Sequence, residues 1–267
     1  MGILSIVTGL SVESAFALFN VCISIATAFL FEHYLRRTFH LTRLSATLGG
    51  CLFIASASNV GTVAFPMLEP ASAFFSCLIF LTASNRRTLG FACTSVAAVA
   101  TKEILVFSSL LWWLHREPSE RAWRCIAVSS LPLLAFASIR IVMGSSALEV
   151  NYGFDILHGE FPAYGRRLLG FNSCLAVMFQ TFLSFSFFWF GLLRAHRHPQ
   201  LRRELILVPL VIIAAALLSG RITRVLGVLF PIVLPAFLVM LEEMAASQSG
   251  TQLAPPAGGT TESGTSQ

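Results

Sequence analysis

The sequence predicts an all-α protein, a polytopic transmembrane helix bundle of about nine spans. Three observations predict it. Apolar stretches at 12–31, 171–193 and 225–241 have the roughly 17–25 mostly apolar residues that a bilayer crossing needs. The chain is 55% hydrophobic and 12% charged with a mean hydropathy of +0.76, against about 25% charged in soluble domains. The positive charge is concentrated in short breaks between the apolar stretches, as in loops on one side of a membrane.

The elements follow in order. The first span, 12–31, ends before Arg36, Arg37 and Arg43. A second covers 44–64. Pro66 and Pro70 then bracket a short loop holding Glu69, and a third span over 68–84 stops at Asn85-Arg86-Arg87. The pieces 88–101 and 104–114 are separated by Lys102-Glu103. Both are short for separate spans, so they form either a thin hairpin or one long helix broken at the charged pair. The break 115–124 carries Arg116, Arg121 and Arg124, and a span over 125–143 follows. The loop 144–170 is the longest connection. After it come 171–193, the basic break 194–204, and spans at 205–219 and 225–241. The bundle occupies 1–246. The tail 247–267 is rich in Ser, Thr, Gly, Pro and Gln, buries too little apolar area to fold, and is expected to be disordered.

Orientation follows from the Lys/Arg balance. With nine crossings, alternate breaks hold twelve Lys/Arg on one side and six on the other. The richer side is expected to be cytoplasmic, placing the N-terminus outside and the C-terminus inside. Eight crossings result if 88–114 does not cross twice. Arginine outnumbers lysine 17 to 1, which hints at a GC-rich bacterial genome and hence an inner-membrane location. The net charge of +5 lies in the breaks, which argues against a nucleic-acid partner.

Cys22, Cys51, Cys77, Cys93, Cys125 and Cys174 all fall in or beside apolar spans, without CxxC spacing. Small packing residues are the reading, with no metal site. No GxSxG, Walker, HExxH or EF-hand pattern occurs, and no cofactor is implied.

The predicted topology gathers one set of polar residues on the outer face, and charges at membrane depth mark a pathway or a site. Glu69 sits where the chain re-enters the membrane. It either complements a helix N-terminus or orients an acceptor or a basic side chain. Lys102 and Glu103 point about 100° apart if helical; they either snorkel to water or line a polar pocket. Arg221 and Arg224, three apart, share a helix face. They either anchor at lipid headgroups or grip a phosphate with their planar donor forks. In the long loop, Asp155 is the sole aspartate. With His158 it forms a secondary acid/base candidate, against a reading as solvated loop. His196 and His198 read as part of a solvated basic break.

Leu10 to Leu114 resembles the multi-pass GT-C glycosyltransferases. The likeness rests on Gly9-Leu10-Ser11 entering a span that ends in His33-Tyr34-Leu35-Arg36-Arg37, then Phe65-Pro66-Met67-Leu68-Glu69-Pro70, Asn85-Arg86-Arg87 and Ala100-Thr101-Lys102-Glu103. Arg221-Ile222-Thr223-Arg224 followed by Leu229-Phe230-Pro231 is similar as well. The resemblance implies a membrane protein handling a polyprenyl-phosphate-linked sugar at its outer face, with membrane lipid as its surroundings. In that reading Arg221 and Arg224 hold phosphate, and Glu69 and Glu103 orient the site. The family's catalytic acid lies in the first outer loop after an initial helix, and Glu13 does not match it. The implied function is therefore a GT-C-like glycosyltransferase lacking that N-terminal helix and loop, or a non-catalytic relative. The alternative is a non-enzymatic multi-pass protein, such as a transporter, a flippase-like component or an assembly partner, in which broken helices and polar groups such as Asn59 serve transport. The sequence names no protein partner.

Overall fold

A computed structural model describes residues 9, 11–56, 69–117, 119–143, 183–218 and 227–248. Regular structure among the described residues is all helical. Three helices are long and apolar enough to cross a membrane: Val12–Thr38, Ala122–Val142 and Gly227–Gln248.

Helix α1 (Val12–Thr38) starts because the Ser11 hydroxyl oxygen accepts the Ser14 N–H at 3.2 Å, satisfying one of the free donors of a first turn. It outlasts the apolar run 12–31 because His33–Thr38 contains no helix breaker. Helix α2 (Arg43–Ala55) is capped in the same way by Thr42, whose hydroxyl accepts the Ser45 N–H at 3.3 Å. Thr42 also donates its N–H (3.0 Å) and its hydroxyl (2.7 Å) to Oε1 of Glu242. That carboxylate, on the last helix, therefore closes the start of the second. Glu242→Ala is expected to cost about 1–2 kcal/mol, the usual worth of a lost cap, read as a lowered melting temperature in detergent.

Helices α3 (Glu69–Ser84) and α4 (Thr88–Thr101) follow. Lys102 is extended, a 3-10 turn runs Glu103–Phe107, and α5 covers Ser108–Leu114. Phe91, early in α4, meets Trp112, late in α5, at 4.7 Å between ring centroids. The chain therefore doubles back at the charged pair as a hairpin. Both arms pack on α6 (Ala122–Met143), which contains Pro132. Of the expected span 171–193 the described part is a nine-residue 3-10 helix, Leu183–Gly191, continued by α7 (Leu192–Ala195). Short α8 (Pro199–Glu204), α9 (Leu207–Leu218) and α10 (Phe230–Gln248) complete the order. Helix α10 runs two residues beyond the bundle boundary expected at 246. The rest of the tail, 249–267, lies outside the described residues.

Helix α1 packs on α2 and α3, and α10 touches both of these latter helices and carries Leu183–Gly191 against its side. Phe230 at the start of α10 joins Phe31 (5.1 Å) and Phe53 (4.6 Å), and Tyr34 meets Phe39 edge-on at 5.3 Å. The polarity of α1 is inverted relative to a water-soluble helix. Asn20, Ser24 and Thr27 are buried, while Val21, Ile25 and Phe29 are exposed. Thr27 donates back to the Ile23 carbonyl at 2.6 Å, and Ser76 of α3 donates to the Val228 carbonyl at 2.9 Å. Small hydroxyl residues inside and large apolar ones outside are what helix association in lipid requires, because lipid tails offer Leu and Phe as good a surrounding as a core does. Exposed apolar rows of this extent are otherwise marks of an interaction surface.

Candidate functional site

Two polar assemblies lie among the described residues. The first brings together two of the residues singled out in the sequence. Glu69 opens α3, where an acid complements the helix N-terminus. Lys102 sits in the extended residue between α4 and the 3-10 turn. Lys102 Nζ stands 4.0 Å from Glu69 Oε1, with the lysine side chain 21% and the glutamate 13% exposed. The pair is thus largely withdrawn from water, each charge holding the other in place. Lys102 also fixes the turn through its backbone: its N–H donates to the Ala98 carbonyl at 2.8 Å, and its own carbonyl accepts from Leu105 at 3.0 Å. The backbone of Glu103 begins the 3-10 turn one residue from Lys102. Asp155, His158, Arg221 and Arg224 lie outside the described residues.

The second assembly ties together the arginine-rich breaks. The N–H at Arg37 Nε donates to Asn85 Oδ1 at 2.5 Å. Arg86, held at φ 54°, pairs with Glu120 and lies 4.3 Å over the Trp112 ring. His198 packs on Phe39 at 5.2 Å, so it is half-buried, in contrast to the solvated reading; His196 is exposed. Burial holds His198 below the usual histidine range, with His40 adding to that and Glu243 opposing it.

At the centre of these breaks is a buried pair that the sequence reading missed. His115 Nε2 and Glu204 Oε1 are 2.9 Å apart, and the Glu204 side chain has no exposure. Gln200, one turn before Glu204, donates to the Ser84 hydroxyl at 2.8 Å. Burial raises the Glu204 carboxyl above the usual range, and the neighbouring His115 and Gln200 side chains pull the other way. The signal in the sequence was faint. In Pro199–Glu204 only Leu201 and Glu204 are buried, three apart and so on one face.

The two assemblies segregate. Every contact named between breaks joins breaks of the same parity in the nine-crossing scheme. Those after the first, third, fifth and seventh spans, and the end of the ninth, meet one another through Arg37–Asn85, Arg86–Glu120, His115–Glu204, Phe39–His198 and Thr42–Glu242. Those after the second and fourth meet through Glu69–Lys102. Among the described residues no group of three or more His, Cys, Asp or Glu side chains is placed to hold a metal ion. Together these observations define, among the described residues, an all-helical protein with membrane-length apolar helices and two separate polar assemblies. No protein-family model, curated protein or solved structure matches it.

Proposed function

We propose that the chain is a multi-pass membrane protein, N-terminus outside and C-terminus in the cytoplasm, with a binding site for a lipid-phosphate-linked sugar at its outer face. The observation that carries the reading is the Glu69–Lys102 pair, a partly buried charge pair at the end opposite the arginine-rich breaks in that scheme. A charged pair at such depth is costly unless it is used. The segregation of breaks by parity supports the alternation of crossings, and the positive side is then the cytoplasmic one.

In this reading Lys102 offers an ammonium to a phosphate oxygen, and Glu69 holds it in position while the site is empty. Arg221 and Arg224 supply the donor forks that a pyrophosphate or phosphate accepts. Function then takes the form of a GT-C-like glycosyltransferase or a non-catalytic relative that presents the lipid-linked sugar.

The test is binding of polyprenyl phosphate to purified protein. Charge-assisted phosphate contacts are worth roughly 1.5–3 kcal/mol each. Lys102→Gln is therefore expected to weaken binding about tenfold, and the double change Arg221→Gln with Arg224→Gln about a hundredfold. Lysine at both arginine positions should restore only part, because it lacks the planar fork. Unchanged affinity in all three variants removes the phosphate site and leaves a non-enzymatic membrane component as the reading.

A further inference from the structure

We propose that the cleft at the C-terminal end of α1 binds the phosphate of an anionic phospholipid whose acyl chains lie along α1 and α2. The proposal rests on the membrane-spanning reading of α1 and concerns the end of the molecule opposite the sugar site.

The cleft has a volume of about 450 Å³ and is lined by His33, Arg36, Arg37, His40 and Leu41. Four of the five are basic and none is acidic. His33, Arg36 and Arg37 stand at i, i+3 and i+4 of α1, a spacing that places them on neighbouring positions of one helical face, and His40 follows just past the helix end. Two local devices fix the basic groups. Arg37 is held through Nε by Asn85 Oδ1, itself oriented by donation from Asn85 Nδ2 to the Leu81 carbonyl at 2.7 Å. His40 takes φ 55° just past the helix end, a conformation that glycine adopts more readily; a histidine there places an imidazole in the lining instead. A helix C-terminus attracts cations, and that accounts for basic residues in the last turn. It does not account for the cleft that they share.

The apolar surroundings point to a lipid rather than a free anion. Leu18, Val21, Ile25 and Phe29 are exposed, Phe29 by 69%. At 100° per residue, positions 18, 21, 25, 29, 33 and 36 fall within about 120° of one another. This face is apolar as far as Phe29 and polar beyond it, where half-buried Glu32 falls in the same arc ahead of exposed His33 and Arg36. From Leu18 to Phe29 it rises about 16 Å at 1.5 Å per residue, the depth of one leaflet of a ~30 Å hydrocarbon core. Just after Leu41 of the lining, α2 begins, with Leu44, Leu48 and Ile54 exposed, Leu44 by 82%. A headgroup phosphate among the arginines would have exposed apolar residues of α1 and α2 within reach of its chains.

The experiment uses the full-length chain in nanodiscs of equimolar phosphatidylcholine and phosphatidylglycerol, with native mass spectrometry counting the phosphatidylglycerol retained after detergent release. Wild type is expected to retain it selectively over phosphatidylcholine, and inorganic phosphate should not displace it. Arg36 is exposed, and Arg36→Gln should cut retention roughly tenfold, the worth of one charge-assisted phosphate contact. Arg124→Gln, an exposed arginine in another break, should leave retention unchanged. His33→Gln gives a second reading of the cleft, and melting temperatures confirm that the variants fold. Equal loss in the Arg36 and Arg124 variants would show generic attraction and overturn the proposal. So would unchanged retention in the cleft variants, or displacement by inorganic phosphate. Carbonate extraction of the same membranes reports separately whether the chain is embedded, so the membrane reading and the cleft fail in distinguishable ways.

Discussion

His115→Leu is expected to destabilise the protein by about 1–3 kcal/mol, the cost of leaving a buried polar group without its hydrogen-bond partner. Glu204 has no exposure, and the variant removes its hydrogen bond to His115. The carboxyl has two ways to respond, by unfolding the segment or by keeping its proton. Burial already raises its pKa above the unfolded value. A raised folded pKa means that the stability it contributes is fully present below the ordinary carboxylate range and is lost as pH rises through the raised value. Losing the histidine removes an opposing influence and lifts that value further. The variant should therefore melt higher at mildly acidic than at mildly alkaline pH, with a steeper pH dependence than wild type. Replacing both residues with leucine should recover most of the loss, because a well-packed apolar pair is often as stable as a buried ionic one. Thermal unfolding in detergent across pH checks all three outcomes. A His115→Leu protein as stable as wild type at every pH would mean that the pair bears no weight in the fold.

Gly191→Val is expected to cost about 3 kcal/mol or more. A Cβ at Gly191 would overlap the backbone nitrogen and Cα of Phe237 and lie 2.6 Å from the Ala236 carbonyl carbon. Those atoms belong to the interior of α10, which cannot yield as a side chain can, so the overpacking penalty falls at or above the usual 1–3 kcal/mol. The segment Leu183–Gly191 would have to move off α10, taking with it the Phe188–Phe237 contact at 5.0 Å. Gly90 is the internal control. A Cβ there meets nothing closer than 3.4 Å, at a Thr82 methyl, and it lies within α4, so Gly90→Ala should be neutral or stabilising by up to about 1 kcal/mol. Equal behaviour of the two variants would refute the close approach at Gly191.

Much of the helical order was legible because local rules sufficed. The apolar runs give approximate lengths, and Lys102-Glu103 marks the interruption between 88–101 and 104–114, which the structure folds as the hairpin of the two alternatives. The end of α1 was read seven residues early, since hydropathy stops at Phe31 while helix propensity continues through Thr38. The Glu69–Lys102 pairing was only half legible. Each residue stood out as a charge in an apolar region, but their 4.0 Å approach depends on how α3 meets the α4 turn. The His115–Glu204 pair was hidden for the same reason in stronger form. The partners are 89 positions apart, and each lies in a polar break whose composition reads as solvated. The candidates Arg221, Arg224, Asp155 and His158 lie outside the described residues.

Thiol labelling of intact cells tests most directly whether the arginine-rich breaks and the Glu69–Lys102 end lie on opposite sides of a membrane. In a background without native cysteines, Ser119→Cys in the break after α5 and Ser249→Cys after α10 should be protected from a membrane-impermeant reagent until the cells are opened. Ser145→Cys, after α6, should be labelled at once. Labelling of Ser119→Cys and Ser249→Cys with protection of Ser145→Cys would reverse the orientation, and the same result at all three positions would contradict the alternation of crossings itself.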